Sequence, residues 1–434
     1  MFPNPQDALP LPVRPNIEQY KKRAKDLHTA CETGADAIGA WADRWIASLL
    51  KGAERKHLDR AATQVEEFAM RALTGGGRDR RCMLADAQFV IARSHGFISW
   101  AAFVAHLDAL AHSGTETAAF EAAADAIVRG HEGALQALLK QNPELIRAHS
   151  AREHRATLLH YVSANGVENY RQTSPPNAAR ITELLLAAGA DVEAEADVYG
   201  GGCTALGLVA TSTPPRQAGV QIPVIQVLLD HGARIEHPNL AGKGGDAIYA
   251  CLANGCPEAA HYLVERGARV GLVGAAGIGR LDLVRQFVDA ADPARREMAL
   301  RYGAGYGHMP VVTFMLDRDV PVDGHHGDGQ TALFYAILGD HLDVVRLLLE
   351  RGANPHIKTQ WGDLVAGAIW RAAHGGSADR AGEIIEALIA AGGKPPEHHP
   401  PVTVQIDALL MRYGSVADPS RYWRGEEPRR QKVD

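Results

Sequence analysis

Apolar positions recur with helical spacing along most of the chain, and the clearest pattern lies between residues 331 and 354. There, TALFYAIL predicts a short first helix, and LDVVRLLLE predicts a second helix with one apolar face. Gly352 follows the second helix, where a left-handed residue commonly ends a helix. Helices this short cannot bury their apolar faces as an isolated pair. The pattern therefore predicts stacking against similar units.

This unit resembles an ankyrin repeat, whose consensus opens with Thr-Pro-Leu-His and ends with Leu-Leu-x-x-Gly-Ala. The chain has TLLH at 157–160, and it has LLERGA at 348–353. The resemblance implies an all-α fold, an ankyrin-repeat solenoid of helix–turn–helix repeats with short β-hairpin fingers. It also implies a binding role, because ankyrin stacks mostly bind other molecules through surfaces that vary freely.

About eight irregular repeats are identified between residues 118 and 394. The intervals from 297 to 331 and from 331 to 363 are close to the ~33-residue ankyrin period. The second and third repeats are longer, and their extra residues fall between the two helices at 168–180 (insert 1) and 211–221 (insert 2). A similar insert is expected at 375–382 in the eighth repeat. Inserts at one corner of a solenoid usually line its binding face.

The fourth and fifth repeats are compressed to about 25 residues each, too short for the usual hairpin finger. This compression predicts sharper curvature at that point. The expected result is a narrowed concave cleft in place of an open array.

Helical patterns also fill the region before the repeats. Residues 11–27 and 84–110 resemble an N-terminal helical module that precedes ankyrin arrays in many bacterial proteins. The predicted division is an extended leader at 1–16, an N-terminal helical domain at 17–112, the repeat array at 118–394, and a cap helix with a charged tail at 395–434. We expect His398 and His399, among several prolines, to lie in a surface loop.

Composition excludes several classes of protein. A net charge of -6 and a pI near 6.4 give no electrostatic footprint for nucleic acid. No apolar run reaches membrane-spanning length, and the N-terminus lacks the order of a signal peptide. The five cysteines are scattered and form no CxxC pair. A reducing cytoplasm, without disulfides or structural zinc, is therefore expected.

Four residues are candidate catalytic groups: His160, Glu195, Tyr199 and Tyr249. His160 ends the Thr-x-x-His opening of the second repeat. A structural hydrogen bond to a neighbouring turn explains this histidine as an alternative to a catalytic role. Tyr249 lies where the inner helix of the fourth repeat would line the concave side.

Glu195 and Tyr199 belong to an acidic segment, Asp191–Cys203, which we call the finger. Glu193, Glu195 and Asp197 alternate and would share one face of an extended strand. Acids beside a tyrosine and three glycines suit acid–base chemistry or a cation site. A solvated hairpin edge with a flexible turn explains the same residues.

A second acidic segment, DGHHGDG at 323–329, contains ligand types that bind divalent metals. The weak metal candidates are Asp323, His325, His326 and Asp328. Neighbouring histidines on an extended chain point to opposite sides, which disfavours a shared ion. We therefore expect neither a metal nor an organic cofactor.

Aromatic side chains with polar groups cluster at repeat openings, fingers and inner helices, where they would line a semi-apolar cleft. Packing between repeats explains many of them equally well. The candidate ligand-binding residues are Asn165, Tyr170, Tyr199, Arg216, Tyr249, Asn254, Tyr302, Tyr306, His308, Phe334, Trp361 and Trp370.

Two functions remain open from the sequence. The first is a binding protein that holds a protein or peptide partner on its concave face and inserts, with no catalytic motif in the chain. The alternative is an enzyme that acts on a small molecule in the cleft by Tyr, His and carboxylate acid–base chemistry. Such an enzyme would be a lyase, isomerase or hydrolase without an organic cofactor.

Overall fold

The computed structural model describes residues 3–12, 14–74, 82–112, 114–236, 246–325, 329–359 and 362–421, without the side chains of Pro5 and Lys56. Helices dominate these residues, and the strands assigned there are four short ones of two residues each. The chain divides into two compact units, with the boundary between Tyr262 and Leu263. We call these unit 1 and unit 2.

Unit 1 begins with a module of five helices. Asn16 caps the first helix by accepting a hydrogen bond from the Glu18 backbone N–H at 2.8 Å, and Ser99 caps the fifth through the Ala102 N–H at 3.2 Å. Trp41, Trp45 and Phe103 are buried in its core. The helices are α1 (Ile17–Thr33), α2 (Ala35–Leu49), α3 (Arg55–Thr74), α4 (Leu84–Ser94) and α5 (Trp100–Ala111).

The described residues of the leader contain one short turn and pack against the helical module. Pro5–Asp7 form a 3₁₀ turn, and Leu9 is buried in the core of the module. The Leu9 N–H donates to the Ser94 carbonyl at 2.8 Å, and the His95 Nδ1–H donates to the Leu9 carbonyl at 3.0 Å. Burial of Ala8 and Leu9 against the module explains why this leader is a packed element.

Pairs of short helices follow the module in unit 1. Their inner members, including a 3₁₀ helix at Leu158–Ser163, pack in one row. That inner element is 3₁₀ rather than α-helical, and it ends at Ala164, whose φ of 45° is left-handed. The α-helices are α6 (Glu116–Arg129), α7 (Glu132–Gln141), α8 (Ala178–Ala187), α9 (Ala205–Ala210), α10 (Thr213–Gln217), α11 (Gln221–Asp230), α12 (Ala247–Ala253) and α13 (Pro257–Glu265), which contains the unit boundary.

Unit 2 continues the helix pairs in two rows around one apolar core. Helices α14, α16, α18 and α20 pack in sequence as the inner row, and α15, α17, α19 and α21 form the outer row. Their bounds are α14 (Leu272–Gly277), α15 (Leu281–Phe287), α16 (Pro293–Gly305), α17 (Met309–Leu316), α18 (Ala332–Leu338), α19 (Leu342–Glu350), α20 (Leu364–Ala373), α21 (Ala378–Ala390) and α22 (Val404–Arg412). Residues 378–382, expected as an insert, belong to α21 instead.

The regular repeat forms as its pattern predicts. Thr331 caps α18 by accepting a hydrogen bond from the Phe334 N–H at 3.3 Å, and Val344, Val345 and Leu348 are buried. Gly352 has a φ of 86°, the left-handed conformation expected after α19.

Replacing Thr331 with alanine is expected to lower the free energy of unfolding of unit 2 by about 1 kcal/mol, because the Phe334 N–H loses its acceptor. Urea denaturation measures this change. Thr331→Ser keeps the hydroxyl and should retain most of the stability. Equal losses in both variants would show that the cap bond is not the source of the effect.

Two short strands pair in the described C-terminal residues 398–417. His398–His399 form strand β3 parallel to β4 (Val416–Ala417), so the expected surface loop for the two histidines is wrong. His399 is buried; its Nδ1 bonds to the Ser415 hydroxyl at 2.8 Å and its Nε2 to Asp407 Oδ1 at 3.1 Å. These contacts hold β3 and Ser415 against α22.

Candidate functional site

The two inserts and the finger meet at one cavity of unit 1. This insert cavity has a volume of about 320 Å³. Insert 1 contributes Gln172, insert 2 contributes Thr211–Pro214, and the finger contributes Tyr199. The lining residues are Ala164, Asn165, Gln172, Tyr199, Leu208, Thr211, Ser212, Thr213, Pro214 and Asn254.

The finger is a hairpin with an unusual turn. Strand β1 (Glu195–Ala196) pairs antiparallel with β2 (Cys203–Thr204). Between them, Tyr199, Gly200, Gly201 and Gly202 have φ values of 53°, 106°, 99° and 74°. Four successive left-handed residues favour glycine, which explains the GGG run, while Tyr199 adopts this conformation despite its side chain.

Asn165 connects the finger to the inner row of helices. The Tyr199 hydroxyl donates to Asn165 Oδ1 at 2.6 Å. Asn165 Nδ2 donates to the Leu208 carbonyl at 3.1 Å and to Thr211 Oγ1 at 3.4 Å. One amide therefore fixes the tyrosine, α9 and the start of insert 2 around the cavity.

A buried ionic cluster holds the start of insert 1. We define it by Glu121 and Asp125 on α6, Arg152 in the loop before the second repeat, and Glu168 and Arg171 in insert 1. Both arginines and Glu168 are buried.

Each charge in this ionic cluster meets an opposite charge. Arg152 Nη1 contacts a carboxylate oxygen of Glu121 and Glu168 Oε1 at 2.8 Å. Arg171 Nη1 lies 2.8 Å from Glu121 Oε2, and its Nη2 lies 2.7 Å from Asp125 Oδ1. Because Gln172 follows Arg171 directly, the ionic cluster fixes the backbone beside a cavity-lining side chain.

The charges of the ionic cluster are stabilised by each other. Burial alone would raise the pKa of Glu168, but Arg152 and Arg171 outweigh it and hold that pKa well below its usual range. The same balance lowers the pKa of Glu121. Burial, followed by the nearby Glu168 charge, raises the pKa of Tyr161 well above 10.

No single stretch of the sequence indicates this ionic cluster. The available signals were the acids Glu121 and Asp125, four residues apart on one helix, and the pair Glu168 and Arg171 at the start of insert 1. Neither pair indicates the other, because the contacts join positions about 30 to 50 residues apart in sequence. Only the packed repeats bring them together.

The four candidate catalytic residues are not brought together. His160 is fully buried; its Nδ1 accepts from the Thr157 N–H at 3.1 Å, and its Nε2–H donates to the Cys203 carbonyl at 3.2 Å. Burial lowers its pKa to about 4. Tyr199 lines the insert cavity, whereas His160, Glu195 and Tyr249 do not.

The acids of the finger are directed to separate partners. Glu193 Oε2 pairs with Arg234 Nε at 2.6 Å, and Asp197 Oδ2 lies 3.9 Å from Arg155 Nε. Glu195 is exposed on β1. Glu193 lies in a turn at Asp191 to Ala194, and only Glu195 belongs to β1, so the three acids do not lie on one strand as expected.

In unit 1, three of the candidate ligand-binding residues line the insert cavity: Asn165, Tyr199 and Asn254. Tyr170 instead accepts a hydrogen bond from Arg152 Nη2 at 3.3 Å. Arg216 is exposed on α10, and Tyr249 is half-buried on α12.

In unit 2, the candidates take part mainly in packing. Tyr302 and Tyr306 stack at a ring separation of 6.5 Å, and Phe334 is buried. His308 Nε2–H donates to the Gly277 carbonyl of the preceding repeat at 3.0 Å. Trp370 is exposed and stacks on His374 at 4.4 Å, while Trp361 lies outside the described residues.

The weak metal candidates do not form a site in the described part of the chain. Asp323 accepts from the Asn354 N–H at 3.0 Å, and His325 Nδ1 bonds to the Asp323 carbonyl at 2.9 Å. His326 and Asp328 lie outside the described residues. Across the described ranges, no three His, Cys, Asp or Glu side chains are grouped suitably for a metal ion.

Among the described residues, no helix has both the length and the apolar character that are needed to span a membrane.

The finger turn also lines a second, charged groove. Its volume is about 560 Å³. Gly200 and Gly201 of the finger line it together with Ile98, Ala151, Arg152, Glu153, Arg155 and Asp197. The finger therefore contributes residues both to the charged groove and to the insert cavity.

Comparisons with known proteins identify the repeat type. A family model described as ankyrin repeats (3 copies) matches residues 272–359. Two curated relatives are 28% identical to this chain. They are the ankyrin repeat and KH domain-containing protein mask-1 of Caenorhabditis elegans, aligned over 134 residues, and the ankyrin repeat and KH domain-containing protein CBG24701 of Caenorhabditis briggsae, aligned over 133 residues. Each alignment covers 30% of this chain and 4% of the relative, so the chain spans a small fraction of their length.

Among solved structures, the human ASB11 ankyrin repeat domain matches with 20% identity and a TM-score of 0.33, covering 63% of this chain and 99% of that one. The family-model match and the paired helices agree on the repeat type. The chain therefore contains ankyrin repeats, in an all-α ankyrin-repeat fold with an N-terminal helical region.

Proposed function

We propose that this chain is a binding protein that holds a peptide segment of a partner protein in and around the insert cavity. The observation that carries the proposal is the convergence of insert 1, insert 2 and the finger on one cavity. Inserts in repeat proteins are usually placed where binding occurs, because the scaffold does not need them. Ankyrin repeats in general mediate protein–protein interaction.

The dimensions and the restrained walls of the site support a peptide ligand. A volume of about 320 Å³ is at the lower end of small-molecule pockets and suits one or two side chains. The ionic cluster and the Asn165 hydrogen bonds restrain the walls before binding. Such preorganisation lowers the entropy cost of association.

We propose a reducing cellular compartment for this binding protein. All five cysteines are free thiols, which fits a reducing compartment such as the cytoplasm. A bacterial setting and the four-part domain division also remain part of the proposal. The acid–base enzyme has less support, since only one of its four candidate residues lines the insert cavity.

Peptides selected from a random dodecapeptide display library on the full chain test this proposal. Thr213→Lys places a charged side chain at an exposed edge of the insert cavity and should weaken binding of the selected peptides at least about tenfold. The matched control is Ala137→Lys, an exposed position on α7, which contributes no lining residue. Calorimetric titration measures both affinities. Equal affinities in the two variants would contradict the proposed site.

A further inference from the structure

We infer that the insert cavity recognises an uncharged amide side chain, asparagine or glutamine, on the partner peptide. This inference rests on the proposed function and names the chemistry of the group that enters the cavity. It is carried by the charge, the hydrogen-bonding groups and the walls of the insert cavity.

The lining of the insert cavity is uncharged. None of its ten lining residues is Asp, Glu, Lys, Arg or His. In the whole chain, Asp, Glu, Lys and Arg together make up 22% of the residues. A charged anchor would lose its hydration there without gaining an opposite charge, at a cost of several kcal/mol. The charged groove across the finger turn, with Glu153, Arg155 and Asp197, shows the contrast.

Two amide side chains have hydrogen-bonding capacity available for a ligand. Gln172 Nε2 donates one bond, to the Val167 carbonyl at 2.8 Å, and Asn254 Nδ2 donates one, to the Ala250 carbonyl at 2.9 Å. Each amide carries two N–H donors and one carbonyl acceptor. Within the described residues, one N–H and the carbonyl oxygen of each amide are therefore available.

Asn165 plays a different part. Both of its N–H groups donate within the protein, and its oxygen accepts from Tyr199. It therefore positions the wall, while Gln172 and Asn254 supply the donors and acceptors. A group with both a donor and an acceptor, and no charge, complements them, and this describes a primary amide.

Part of the remaining lining is apolar, and the rest is Thr211, Ser212 and Thr213. Ala164, Leu208, Pro214 and the ring of Tyr199 provide surfaces for the methylene groups of an asparagine or glutamine. An entirely apolar anchor would cover the half-buried amide of Gln172 and the exposed amide of Asn254 without pairing them, which disfavours its binding.

The test uses the same dodecapeptide selection on the full chain, and counts only peptides whose binding Thr213→Lys weakens. These should share an asparagine or glutamine at one position. Replacing that residue in the peptide with its charged isostere or with leucine should weaken binding at least about tenfold. In the Gln172→Leu and Asn254→Leu variants, this preference for the amide over leucine should fall to about twofold or less.

The outcomes separate the two claims. Selected peptides that depend on the insert cavity but carry an acidic, basic or apolar residue at the shared position would overturn the amide inference and leave the proposed function intact. A preference for the amide that persists in both leucine variants would also overturn it. If no selected peptide depends on the insert cavity, both the proposed function and this inference are wrong.

Discussion

Arg152→Met is expected to lower the free energy of unfolding of unit 1 by about 3–5 kcal/mol. The guanidinium of Arg152 contacts both Glu121 and Glu168, and its side chain is 1% exposed. Without it, two buried carboxylates share Arg171 as their remaining arginine in the ionic cluster. An uncompensated buried charge costs far more than an intact pair contributes.

Chemical denaturation of the full chain, followed in unit 1 through the tryptophans of α2, measures this loss. Arg180→Met is the matched control, since Arg180 pairs with Glu132 at 3.3 Å but is 62% exposed, and the expected loss is below about 1 kcal/mol. Adding Glu168→Gln to Arg152→Met should recover part of the stability by removing the orphaned charge. Similar losses for Arg152→Met and Arg180→Met would contradict the role of the ionic cluster.

Acidification is expected to destabilise unit 1 well above the pH at which carboxylates titrate. Burial lowers the pKa of His95 to about 3, of His106 to about 4 and of His160 to about 4. Below pH 6.5 the unfolded chain takes up protons at these histidines while the folded protein does not. Their stabilising contribution is therefore complete above pH 6.5 and is lost as the pH falls towards 4.

The size of this effect follows from proton linkage. Each histidine contributes a slope that approaches about 1.4 kcal/mol per pH unit, so three histidines together cost about 4–5 kcal/mol between pH 6.5 and 5. The depressed pKa values of Glu121 and Glu168 act in the same direction, but only below their ordinary value of 4.5. The loss of stability between pH 6.5 and pH 5 is therefore caused by the histidines.

Denaturation midpoints measured from pH 8 to pH 5 test this expectation. His106→Leu should reduce the slope by about a third, and it removes two ring nitrogens that have no hydrogen-bond partner among the described residues. His112→Gln, at the exposed end of α5 with 68% of its side chain accessible, is the matched control. A flat stability profile over this range would contradict burial of the three neutral histidines.

The sequence predicted features that depend on local chemistry. The two helices before Gly352 follow from the spacing of their apolar residues, and the left-handed Gly352 follows from its place after the second helix. Inserts 1 and 2 were visible as departures from the repeat period. Their length did not indicate that insert 2 folds into α10, or that both inserts line one cavity.

The features that the sequence did not predict depend on distant contacts. Arg152 and Glu168 belong to no sequence pattern that indicates burial, and packing makes them a buried pair. His160 has the chemistry of a general base, but its two nitrogens are used by Thr157 and Cys203. Aromatic composition also did not distinguish Tyr199 at the cavity from Tyr302 in packing.

Photo-crosslinking tests the central claim, which is that the insert cavity is the place where a partner peptide binds. A genetically encoded benzoylphenylalanine at position 213 avoids the five free thiols that would compete with a cysteine label. With a selected peptide bound, this position should crosslink to the peptide, and the same group at position 137 on α7 should not. Crosslinks from 137 in place of 213, or from neither position while the peptide remains bound, would show that the partner binds elsewhere.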